Sequence, residues 1–69
     1  MKYAIRVEET KGKTFIVEAD SLDEAIDKVD SDDFIDLYDE EVERNTFPSP
    51  YAMPGGIATE EQLANCTYF

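Results

Sequence analysis

Histidine and tryptophan are absent from this chain, cysteine occurs once, and only six basic residues stand against seventeen acidic ones. Without histidine, the commonest general base and the commonest imidazole metal ligand are both missing. A lone cysteine, Cys66, excludes an intramolecular disulfide, the usual staple of a small secreted domain. The N-terminal stretch Met1–Val7 has no long apolar run, so neither a signal peptide nor a membrane span is expected, and a cytoplasmic protein is. Glycine and proline number three each, and five of those six residues crowd into Pro48, Pro50, Pro54, Gly55 and Gly56. Backbone irregularity is therefore expected in that one place.

What the chain has in excess is carboxylate, and it is unevenly placed. Thirteen acids and a single base, Lys28, lie between Glu18 and Glu43, giving those 26 residues a net charge of −12. Residues 1–17 sum to +2 and residues 44–69 to −1, which completes the formal −11. Apolar content of 42% with eight aromatics is too high for an unfolded acidic tail, so the 69 residues read as one small folded domain. Such a chain buries only about 60% of the surface its unfolded form exposes, and its core is correspondingly slight. Self-repulsion opposes that compact state and is screened by salt, the Debye length falling from about 30 Å at 0.01 M to about 3 Å at 1 M. The melting temperature should therefore rise with added sodium chloride; a melting temperature indifferent to salt would show that the charges are already compensated in the fold.

Met1, Tyr3, Ile5 and Val7 alternate with Lys2, Ala4, Arg6 and Glu8, the pattern of a strand with one wet face. Thr10-Lys11-Gly12-Lys13 is a turn, and Phe15, Val17 and Ala19 alternate with Thr14, Ile16 and Glu18 on the returning strand, so residues 2–19 form a hairpin. Ser21-Leu22-Asp23-Glu24 fits a capping box, and Leu22, Ala25, Ile26 and Val29 follow at helical spacing over about 21–29. Asp23, Glu24 and Asp27 fall on the opposite face, the first two where the helix dipole favours negative charge. Phe34–Tyr38 fits either a third strand or the start of a short helix through Val42, and Asn45-Thr46-Phe47 fits a short strand. After the proline- and glycine-rich loop, Thr59-Glu60-Glu61-Gln62 is a second capping box, opening a short helix to about Cys66. The fold class is α+β: a small antiparallel sheet led by the hairpin, one helix packed on it, and a short C-terminal helix.

The segments Tyr3–Thr10, Val17–Ser21 and Glu24–Val29 resemble the small DpnD/PcfM-like proteins of bacterial mobile elements and restriction cassettes. The likeness covers roughly residues 2–29, and it implies a phage or mobile-element setting rather than a catalytic centre. In size and charge the chain also looks like phage proteins of the anti-CRISPR and anti-restriction kind.

The residues themselves point away from catalysis. Ser21, Ser31 and Ser49 have no base to activate them, and Cys66 stands between Asn65 and Thr67 with no cationic neighbour in sequence. Gly55-Gly56 belongs to no phosphate-binding motif. Asp30-Ser31-Asp32-Asp33-Phe34-Ile35-Asp36 begins like a calcium loop, with Glu41 at its twelfth position, but Ile35 stands where the sharp turn requires glycine. No metal, no cofactor and no enzymatic activity are expected.

The acidic stretch has a plain reading, a charged face that keeps a small domain soluble. Its density supports a second. Duplex DNA carries a phosphate every ~3.4 Å of axis per strand. Carboxylates four apart on a helix stand roughly 5–6 Å apart, and two apart on a strand about 6.8 Å. A basic protein surface built to hold nucleic acid is attracted to such a row. The expected partner-binding residues are Asp23, Asp27, Asp30, Asp32, Asp33, Asp36, Asp39, Glu40 and Glu41, with Tyr38 as an aromatic anchor among them. Phe34 in the same segment, and Tyr51 and Met53 in the proline loop, serve either as core or as further anchors. The function expected on these grounds is non-enzymatic inhibition by DNA mimicry, the partner being a basic nucleic-acid-binding complex such as a CRISPR effector or a restriction enzyme, with no direct contact to nucleic acid or membrane. The alternatives are an oligomerising accessory module that buries Tyr68-Phe69, and an antitoxin-like partner of a basic protein. A monomer or weak homodimer is expected.

Overall fold

The computed structural model describes residues 1–9, 11–31 and 45–69. Residues 32–44 and Thr10 lie outside the described residues, and with them the choice between strand and helix at 34–43.

The alternation near the N-terminus produces two strands, β1 (Lys2–Glu8) and β2 (Gly12–Glu18), paired antiparallel from Lys2 opposite Glu18 to Glu8 opposite Gly12. Register is fixed by the apolar set: a slip of one residue would turn Tyr3, Ile5, Val7, Phe15 and Val17 to the wrong face. Those five, with Ala19, form the larger apolar cluster together with Ala25 and Val29 of the helix α1 (Leu22–Asp30). Leu22 and Ile26 close its margins. Burying an Ile or Val side chain stabilises by about 1.5–3 kcal/mol, so among the described residues this face contributes more than the other.

The helix begins as its sequence dictates. Ser21 Oγ accepts from the Glu24 N–H at 3.2 Å, while the Glu24 carboxylate accepts from the N–H of Asp20 at 3.3 Å. The reciprocal bond thus lands one residue earlier than a capping box prescribes. At the other end, Ser31 N–H closes on the Asp27 carbonyl at 2.9 Å.

Two sequence expectations are modified. The sheet is mixed rather than antiparallel throughout: its order is β3-β1-β2-β4, with β3 (Asn45–Pro48) antiparallel to β1 and the two-residue β4 (Thr67–Tyr68) parallel to β2. The second face is also not wet along its length. Ala4 and Ile16, placed there by alternation, are 0% and 1% exposed, under Ala58, Ala52, Leu63 and Cys66. A 69-residue chain gains from burying both sides of the described sheet, and Ala4 is small enough to let the C-terminal segment approach.

That segment is organised by the edge of β1. Past β3, Ser49 N–H donates to the Ala4 carbonyl at 2.9 Å, and Ala58 N–H donates to the Lys2 carbonyl at 3.0 Å. Residues 50–56 are therefore an excursion between two attachments to one strand. Met53 N–H to Ile57 O (2.8 Å) and Gly56 N–H to Met53 O (3.0 Å) close it into a tight loop containing a 3-10 turn at Pro54–Gly56. Among the described residues β3 is an edge strand, so Pro48 costs no ladder bond there. The chain then enters α2 (Glu60–Asn65) through a complete capping box, Thr59 Oγ1 accepting from Gln62 N–H and Gln62 Oε1 accepting from Thr59 N–H.

Candidate functional site: an acidic helix face and a separate groove

Three of the expected partner-binding residues are described: Asp23, Asp27 and Asp30, all exposed on α1. At 3.6 residues per turn and 1.5 Å rise, they fall within an arc of about 60° and span about 10 Å of axis. They form one stripe on the side away from Ala25 and Val29. The other seven, Asp32, Asp33, Asp36, Tyr38, Asp39, Glu40 and Glu41, lie outside the described residues.

The stripe is not neutralised locally. Lys28, the one base of the acidic segment, donates to the Glu18 carbonyl at 2.8 Å and pairs with Glu24 at 3.5 Å. Lys28 and Glu24 share a line about 100° round the helix from Asp27 and Asp23, respectively, so the cation flanks the stripe instead of covering it. Among the described residues no cation pairs with Asp23 or Asp27. Asp30 accepts from the Thr46 hydroxyl at 3.3 Å, an exposed bond that ties the end of α1 to β3.

Helix stability accounts for only part of this pattern. Asp23 and Glu24 occupy the first turn, where negative charge is favoured by about 0.3–1 kcal/mol. Asp30 is the last residue of the helix, where the dipole opposes it by a similar amount. A sequence chosen for stability alone would carry a cation at that position.

The positive charges are concentrated elsewhere. Lys2, Arg6, Lys11 and Lys13 belong to the hairpin. Arg6 is paired with Glu8 at 2.9 Å, Lys2 lies over the Tyr68 ring at 5.6 Å, and Lys13 lies over the Phe15 ring at 5.3 Å. By the strand register Lys2 and Arg6 fall on the sheet face away from α1, whereas Lys13, opposite Val7, falls on the face that α1 packs against.

A second feature, which the charge pattern did not reveal, is an open groove of about 920 Å³ between the excursion loop and α2. Thr14 and Ser49 contribute to its lining on the sheet side, Tyr51 and Met53 on the loop side, and Gln62 and Cys66 on the helix side. Ser49 is buried at its base, its hydroxyl accepting from Tyr51 N–H at 3.2 Å and from Gln62 Nε2 at 3.1 Å. That one oxygen fixes the loop to the helix. Tyr51 is 83% exposed and so is not part of the core. Glu60 and Glu61 also line the groove.

Among the described residues, no group of three or more metal-ligating side chains comes together, and no helix is long and apolar enough to cross a membrane. The stretch weighed as a calcium loop lies, beyond Ser31, outside the described residues. No family model, curated protein or solved structure matches this chain.

Proposed function

We propose that this protein is a non-enzymatic inhibitor of phage or mobile-element type, acting in the host cytoplasm, whose acidic face occupies the nucleic-acid groove of a basic host defence complex. The observation that carries this reading is the stripe of Asp23, Asp27 and Asp30, exposed, unopposed by any described cation, and continued into the dipole-disfavoured end of the helix. Two intervals in about 10 Å give roughly two thirds of the axial charge density of one DNA strand. The seven further acids between Asp32 and Glu43 follow it directly in sequence. Negative charge at this density steers a protein toward a positively charged channel and releases the counterions held there, as a nucleic acid does.

The expected result of a pull-down from bacterial lysate, with the intact protein as bait and mass spectrometry as readout, is a basic nucleic-acid-binding protein or complex. Its capture should fade steeply as salt rises, because the contact is electrostatic. Specific capture of neutral or acidic proteins alone, retained at high salt, would overturn the reading.

A further inference from the structure

The groove beside α2 is anionic, partly apolar and held in shape by its own hydrogen bonds. The Ser49 hydroxyl fixes Tyr51 and Gln62, and Met53 N–H is bound to the Ile57 carbonyl at 2.8 Å. The loop is therefore pre-organised, yet it holds Tyr51 83% and Met53 46% exposed at the groove. The charged side chains in the lining are the carboxylates of Glu60 and Glu61, and no base pairs with either among the described residues. A volume of about 920 Å³ is in the range of sites for organic groups rather than for an ion.

These features select a ligand by charge and shape. Glu60 and Glu61 repel phosphate, which rules against a nucleotide stacked on Tyr51. A second copy of the chain brings a net charge of −11 with it. A guanidinium or ammonium on an apolar segment satisfies each part of the lining at once. We propose that the groove is an anchor site for an arginine- or lysine-bearing peptide segment of a partner protein, the cation lying over the Tyr51 ring and facing Glu60 and Glu61, with an apolar neighbour against Met53 and Cys66. Identification of that partner with the basic defence complex rests on the function proposed above; the preference of the groove for a cationic segment does not. Exposed charges supply steering more than affinity, and an aromatic anchor in a fixed pocket supplies what the helix stripe lacks.

The test is a nuclear magnetic resonance titration of the full chain with the blocked peptide acetyl-Gly-Arg-Leu-Arg-Gly-amide and with its neutral citrulline counterpart. The expected shifts concentrate at Tyr51, Met53, Gln62 and Asn65. The arginine peptide should bind at least about fivefold more tightly than the citrulline one, as a cation–π contact with a carboxylate partner requires. Tyr51→Ala, at an exposed position and checked for folding by circular dichroism, should weaken it by a similar factor, as should Glu60→Gln with Glu61→Gln. Shifts confined to α1 around Asp23, Asp27 and Asp30 and unmoved by Tyr51→Ala would overturn the groove while leaving the acidic-face reading intact. Equal binding of the citrulline peptide, or no binding, would also overturn it. So would groove shifts that track protein concentration without peptide, with a dimer in sedimentation. Groove binding that survives Asp23→Asn, Asp27→Asn and Asp30→Asn together would uphold the anchor site whatever becomes of the helix stripe.

Discussion

Reversing the helix stripe, with Asp23→Lys, Asp27→Lys and Asp30→Lys combined, should weaken binding to the captured basic partner by at least a hundredfold and leave the far-ultraviolet circular dichroism unchanged. The triple change moves the net charge from −11 to −5. It also replaces attraction by repulsion at the contact itself, where like-charge juxtaposition costs several kcal/mol, and lost steering slows association by roughly 10- to 1,000-fold. The fold should survive because none of the three side chains belongs to the apolar clusters. At the helix ends the dipole terms offset: Asp23→Lys loses about 0.3–1 kcal/mol and Asp30→Lys recovers a similar amount. The one described bond removed is the exposed 3.3 Å contact from Thr46 to Asp30. The neutral triple, Asp23→Asn, Asp27→Asn and Asp30→Asn, should fall between. Isothermal titration with the purified partner measures all three proteins, and affinities within twofold of each other would remove the stripe from the interface.

Gly56→Ala should be the most damaging single substitution in the C-terminal half, and Gly55→Ala makes it interpretable. Both glycines have positive φ, +82° at Gly55 and +80° at Gly56. An alanine there costs about 1–2 kcal/mol in backbone conformation at either site. Only at Gly56 does the added methyl also collide, at 2.7 Å from a Leu22 methyl and 3.2 Å from the Pro48 ring. Overpacking of that kind adds about 1–3 kcal/mol. Leu22 is at the start of α1 and Pro48 at the end of β3, so the Leu22 side chain must swing aside and the Pro48 ring give by a few tenths of an ångström. Each kcal/mol moves the melting temperature by about 4–8 °C in a domain of this size. Gly56→Ala should therefore lower it by roughly 10–30 °C, and Gly55→Ala by roughly 5–15 °C. Equal losses would show that the close approach of Leu22 to Gly56 is not maintained in solution.

The first thirty residues were legible because their interactions are local. Alternation in Tyr3-Ile5-Val7 and Phe15-Val17, and Leu22, Ala25, Ile26 and Val29 at helical spacing, each name a structure within a few residues; the turn expected at Thr10–Lys13 was misplaced, since Gly12 and Lys13 already belong to β2. The Ser21 cap of α1 and the full capping box of α2 were legible for the same reason, and so was the short strand at Asn45–Phe47. What escaped the sequence were pairings between distant segments. Nothing near Tyr68 says that it will lie parallel to Ile16, and nothing near Ile16 says that Ala58 and Leu63 will cover it. Read by period alone, Ile16 belonged to a wet face.

The candidate site divides in a similar way. Helical periodicity places Asp23, Glu24 and Asp27 on the side away from the core; the structure keeps Asp23 and Asp27 in one stripe, sets Glu24 beside Lys28 at its flank, and adds Asp30. The groove required tertiary structure, since Tyr51 and Glu60 meet across it only because Ser49 and Ala58 attach to one strand. Each of its residues had a sufficient local explanation: turn, cap or first-turn acid.

Competition decides the central claim. Fluorescence anisotropy of a labelled DNA duplex bound to the captured partner, titrated with this protein at physiological salt, should fall to the value of free duplex, with a midpoint that moves in proportion to the duplex concentration. A ternary complex, in which anisotropy stays high while the protein is bound, would contradict the account.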